Sequence, residues 1–231
     1  MERNRSLSLI AVMLAIFLSG CFNKKDNYFL SKMNNTLKEQ KTIFDKDYKR
    51  NGLLNHFPNN VKNNGLSLHT SPPSCPPSFK CSAQFGNIYL ICKTDTTNTF
   101  IPNNVLYKDE YLSDSNIIIN LIALRRNIFS VEKCNQWYLR KYPIPYFESY
   151  DFGLGEKETK KTVEGETHYN YTYTIPTDLE VYVIAAEPGN FWKEQCNEKR
   201  PASLKKWQNG YSRGIATSEK ENIIVYWAMI W

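Results

Sequence analysis

Histidine is scarce in this sequence. Its 231 residues include three, His56, His69 and His168, each isolated. No C-x₂-C pair accompanies them, so the paired close spacings of structural zinc sites are missing. Glycine is sparse too, at ten residues, and Gly153-Leu154-Gly155 lacks the third glycine of a dinucleotide fingerprint. There is no P-loop, G-x-S-x-G or H-E-x-x-H pattern. No cofactor or metal is therefore expected, and the balance leans toward a protein without catalysis. No stretch reaches 18 uncharged apolar residues, which removes a transmembrane helix from consideration. No repeat of 20–50 residues is visible, which disfavours propellers and solenoids. Charge of one sign is nowhere concentrated. The net charge is +6, and the densest basic groups, Lys157–Lys161 and Lys199–Lys206, are interrupted by other residues. A solvated loop or face accounts for both, and no nucleic-acid partner is expected.

Aromatic side chains are abundant. Five Trp, 15 Tyr and 12 Phe make up 14% of the chain, too many for a mostly disordered protein. The pattern predicts an α+β fold, with an antiparallel-rich sheet, a few packed helices and an N-terminal helix after a short tether. Phe29, Met33 and Leu37 recur every four residues, followed by Ile43, Phe44 and Tyr48, which predicts an amphipathic helix over 28–48. Residues 51–78, rich in Asn, Pro and Ser, read as loop, with Leu53, Leu54 and Phe57 pinning it to the core. Ile88–Cys92 reads as a strand. Residues 115–129 suit either helix or strand, and Val131–Lys141 looks helical up to Pro143. Tyr142–Tyr146 must be extended. In the last third, His168–Thr174 alternates strictly and Leu179–Ala186 follows a Pro176-Thr177-Asp178 turn signal. Gly214–Thr217 and Asn222–Trp231 read as a hairpin around Ser218–Glu221. Ile223 to Trp231 is nine apolar residues without a break, the mark of an interior strand covered on both faces.

The first residues have the parts of an export signal. Arg3 and Arg5 precede Leu7–Leu18, an apolar run interrupted only by Ser8. Its 12 residues are too few to cross a bilayer core, which takes about 20. The run ends in Leu18-Ser19-Gly20-Cys21, which resembles the lipobox of bacterial lipoproteins. The resemblance implies acylation of the Cys21 thiol, cleavage just before it and attachment to a membrane by lipid. Phe22, standing where enteric lipoproteins carry an Asp for inner-membrane retention, implies the outer membrane. The chain then divides into a signal peptide (1–20), a lipidated tether (21–27) and one α+β domain (28–231). Loss of Arg3, Arg5 and Glu2 with the signal leaves 27 basic and 22 acidic side chains, a net +5.

Five cysteines follow Cys21: Cys75, Cys81, Cys92, Cys134 and Cys196. An exported protein can form disulfides. Cys75 and Cys81, in a loop stiffened by Pro76 and Pro77, are the closest and are expected to be able to pair, leaving an odd cysteine. Non-reducing peptide mapping should recover the linked fragment, and a Cα separation beyond about 7 Å would exclude the bond.

Three functional readings follow. The first is a membrane-anchored envelope lipoprotein with a non-catalytic binding or interaction domain, its partner a glycan or an envelope protein. The tyrosine ladder Tyr169, Tyr171 and Tyr173, with Trp192 and Trp207 nearby in sequence, is the candidate platform, because amphipathic rings suit polar partners. Cross-strand packing of a core face explains the same ladder. The second is an envelope hydrolase of glycan or peptide. Its Cys–His or carboxylate pair is unmarked in the sequence, since Glu156, Glu158, Glu164 and Glu166 read as a solvated loop. The third is an inhibitor or immunity lipoprotein.

Overall fold

The computed structural model describes residues 28–62, 65–71, 86–94, 103–111, 142–145, 147, 150–163, 166–192 and 206–231. Cys21, Cys75, Cys81, Cys134, Cys196 and the ambiguous 115–141 region lie outside them. Residues 28–47 form one helix, α1. Eight strands follow: β1 (Gly65–Ser71), β2 (Gly86–Lys93), β3 (Tyr107–Glu110), β4 (Glu156–Val163), β5 (Glu166–Tyr173), β6 (Glu180–Pro188), β7 (Gly210–Ser218) and β8 (Ile223–Ile230). Six of them build an antiparallel sheet in the order β1-β2-β8-β7-β6-β3, and β4 and β5 form a separate pair.

β8 occupies an interior position, with β2 on one side and β7 on the other. Its side chains alternate between two cores, as a run of apolar residues in a strand must. Ile223, Val225, Trp227, Met229 and Trp231 enter one core, while Ile224, Ala228 and Ile230 enter the other. β2 divides in the same way, with Tyr89 and Ile91 opposite Ile88, Leu90 and Cys92.

Each core has its own cover. On one face lies α1, whose Met33, Leu37 and Phe44 are buried together with Tyr48, Leu53, Leu54, Phe57 and Val61. The spacing of Met33, Leu37, Gln40, Phe44 and Tyr48 keeps one stripe of the helix and its exit on the sheet. Asn34 fastens the following loop, donating to the Val61 carbonyl at 3.0 Å and accepting from its N–H at 2.6 Å. The opposite face is covered by Ile144, Phe147, Tyr150, Phe152 and Leu179. There Pro143 and Ile144 run without regular structure, held by the Ser212 hydroxyl, which donates to the Pro143 carbonyl at 2.7 Å.

Two stretches differ from the sequence reading. Residues 65–71, expected as part of a loop, form β1. Among the described strands this is an edge strand paired to β2 alone, so its weak pattern of Leu66, Leu68 and Thr70 is completed by that pairing. The charged stretch from Glu156, expected as a loop, forms β4, paired residue for residue with the tyrosine-bearing β5. Low intrinsic β preference is overridden there by the partner strand.

Candidate functional site

Antiparallel pairing of β6 and β7 brings two turns of the sequence to one end of the sheet. Glu180, at the start of β6, stands opposite Thr217, at the end of β7. On its other side Glu180 stands opposite Glu110 of β3. The Thr177–Asp178 turn and the turn after Ser218 therefore meet beside this row. Between them lies a cleft of about 250 Å³, lined by Glu110, Tyr111, Thr177, Asp178, Leu179, Glu180, Thr217 and Glu219.

Asp178 is the structural centre of the cleft. Its carboxylate accepts from the Ser218 hydroxyl at 2.6 Å and from the Lys220 N–H at 2.9 Å. Burial pushes its pKa up, but these donors outweigh burial and hold the carboxyl below its ordinary value. Glu180 is likewise lowered, first by Lys108, whose Nζ lies 2.7 Å from Oε1, and then by the Tyr182 hydroxyl, which donates to Oε2. The neighbouring Asp178 charge works against this for Glu180, and Lys108 outweighs it. Asp178 and Glu180 are thus anionic at neutral pH, with Lys108 paired to Glu180 and Lys220 beside Asp178. Among the described residues, no group of three His, Cys, Asp or Glu side chains converges as metal ligands do.

A second, half-buried polar cluster lies beneath the loop after α1. The Arg213 guanidinium donates from Nη1 to the carbonyls of Gly52 and Leu53, the latter at 3.2 Å. Nε2 of His56 lies 3.0 Å from the Trp227 carbonyl, and burial, followed by the Arg213 charge, pushes the His56 pKa down to about 3. His56 is therefore neutral in the fold. Its stabilising effect is complete above the unfolded value of about 6.5 and is lost as the unfolded chain takes up a proton on acidification. The expected loss between pH 7 and pH 5 is about 2 kcal/mol. Urea unfolding at the two pH values should show this difference, and His56→Gln should remove most of it. An unchanged difference in the variant would place the acid sensitivity elsewhere.

The residues singled out from the sequence are dispersed. Trp192 is 5% exposed in the helix-side core, edge-on to Tyr48 with ring centroids 5.0 Å apart. Trp207 belongs to the other face, where its carbonyl accepts from Trp231 Nε1 at 2.8 Å. The sheet separates these two tryptophans, so they do not share one surface. Tyr173 is half-buried at the end of β5, and the side chains of Tyr169 and Tyr171 lie outside the described residues. Cys92 is a free, buried thiol that burial pushes up to about 12, so it stays protonated at neutral pH and is a poor nucleophile. His69 instead stacks on Tyr89, which stacks in turn on Tyr150 at 3.7 Å.

The cleft was not singled out from the sequence. Its signals were the turn residues Thr177 and Asp178 and the loop Ser218–Glu221, which were read separately. Only the β6–β7 register joins them. No family model, curated protein or solved structure matches the chain.

Proposed function

We propose that this protein is a cell-envelope lipoprotein: residues 1–20 are removed, Cys21 carries lipid, and the domain that begins at α1 after the tether works as a binding module at the membrane surface. The observation that carries this reading is Leu18-Ser19-Gly20-Cys21 directly behind a short apolar run preceded by arginines. Each buried methylene of an acyl chain contributes about 0.8 kcal/mol, and two or more chains give stable anchorage. Phe22 favours the outer membrane as the destination. The anionic cleft at the β3–β6–β7 end is the best seat for a partner, and it suits a basic group of an envelope protein or an amino-bearing glycan. Cys21→Ser should leave an uncleaved precursor that takes up no labelled palmitate in growing cells. Equal labelling of mutant and wild type would rule out the anchor.

A further inference from the structure

The first turn of α1 is only partly covered: Leu30 packs against the helix-side core. The helix's apolar stripe is buried from Met33 onward, but one turn earlier Phe29 is 49% exposed and Tyr28 is 73% exposed. The place where the stripe runs out is fixed by β1. Gly65 lets the helix approach so closely that a Cβ there would stand 2.7 Å from Met33 Sδ. Leu66, the next residue, lies at the bulge in β1 and is 39% exposed. Of the four large hydrophobic side chains that the described residues leave exposed, Tyr28, Phe29 and Leu66 belong to this corner, and Leu106 alone lies elsewhere.

Chain length says what reaches this corner. Six residues, 22–27, separate Cys21 from Tyr28, and they include Lys24 and Lys25. Fully extended, that connection spans at most about 25 Å. A lipid on Cys21 therefore keeps the start of α1 within reach of the headgroups. Tyr and Phe are side chains that suit this interface, where an apolar body and a polar rim are both satisfied. The two tether lysines and exposed Lys32 favour anionic headgroups by charge.

We infer that Tyr28, Phe29 and Leu66 form a membrane-docking edge that seats in the headgroup–acyl boundary of the bilayer holding the Cys21 lipid, an inference that rests on the lipoprotein reading above. The domain then leans on the membrane by its β1 edge instead of swinging on its tether. β3 is the opposite edge of the six-stranded sheet, about 24 Å away at the usual strand spacing. This posture turns the β3–β6–β7 cleft outward and keeps its carboxylates clear of anionic headgroups.

The test uses the full chain, purified from membranes and reconstituted into vesicles of phosphatidylethanolamine and phosphatidylglycerol, some with brominated acyl chains. Tyr28→Trp adds a reporter at the docking edge, and Leu106→Trp adds one of comparable hydrophobicity beside β3. The wild-type signal is subtracted to remove the native tryptophans. With docking, emission from position 28 should shift to the blue and fall about twofold when bromine lies within 5–10 Å of the headgroup boundary. Position 106 should remain open to aqueous iodide and be unaffected by bromine. Intact mass separates the possible failures. If the protein is acylated but position 28 is quenched only by iodide, docking is overturned and the anchor stands. If the mass shows no acyl chain, the anchor is overturned and docking falls with it. Equal quenching by bromine at both positions would mean general insertion and would also overturn a docking edge.

Discussion

Truncation after Val225 should abolish the fold. The deletion removes Tyr226–Trp231 and with them the pairings of β8 to Gly86–Leu90 on one side and to Tyr211–Ile215 on the other. It also empties both cores, because Trp227, Met229 and Trp231 fill one and Ala228 and Ile230 fill the other. Each large side chain so buried contributes roughly 1.5–3 kcal/mol. A domain has only about 5–15 kcal/mol in total. Four such side chains, Trp227, Met229, Ile230 and Trp231, are at most 2% exposed, so their joint loss, roughly 6–12 kcal/mol, is comparable to the whole stability of a domain. The truncated chain is expected to be insoluble or rapidly digested by protease. A truncated protein that still melts cooperatively near the wild-type temperature would show that the core lies elsewhere.

The second large effect is expected at Gly214. This residue faces Val183 of β6 and Trp227 of β8. A Cβ added to it would stand 2.1 Å from the Tyr182 carbonyl oxygen and 2.7 Å from Trp227 Cζ2. The carbonyl belongs to the neighbouring strand and cannot yield without disturbing the ladder. The indole is fully buried and has nowhere to go. Gly214→Ala should therefore cost about 3 kcal/mol, the upper part of the overpacking range. For a domain of this size that is roughly 6–12 °C in Tm. Gly153→Ala is the matched control. A Cβ there meets nothing within 4 Å, and only the positive φ of +71° opposes it, a penalty of about 1–2 kcal/mol. Equal melting of the two variants would mean that close approach at Gly214 does not limit the packing.

Legibility in the sequence followed the strength of local pattern. The run from Ile223 has no polar break, and only an interior strand with two covered faces accommodates it. Its place in the sheet was therefore readable before any contact was known. Ile88–Cys92 was readable from its β-rich residues, and Leu179–Ala186 from the turn signal before it. β1 and β4 were not, because Leu66-Ser67-Leu68 and the lysine-rich stretch after Glu156 carry little β preference of their own, and their partners supply the pairing. Two tryptophans near each other in sequence gave no hint that a sheet would come between them. The cleft was least visible. Asp178 and Ser218 are 40 residues apart, and only the register of β6 on β7 makes them neighbours. The role of His56 was hidden for a similar reason, since its partner Trp227 lies 171 residues away.

The strand order has a consequence in time. A ribosome makes β8 after the seven other described strands, and among the described residues β8 alone hydrogen-bonds β1–β2 to β7–β6–β3 in the sheet. A nascent chain that has emerged as far as residue 222 holds two partial sheets without the described strand that hydrogen-bonds to both. Such pairings between distant segments are also slow to form, because the intervening loop must be closed before any contact rewards it. Folding of the described sheet thus waits for the strand that completes it.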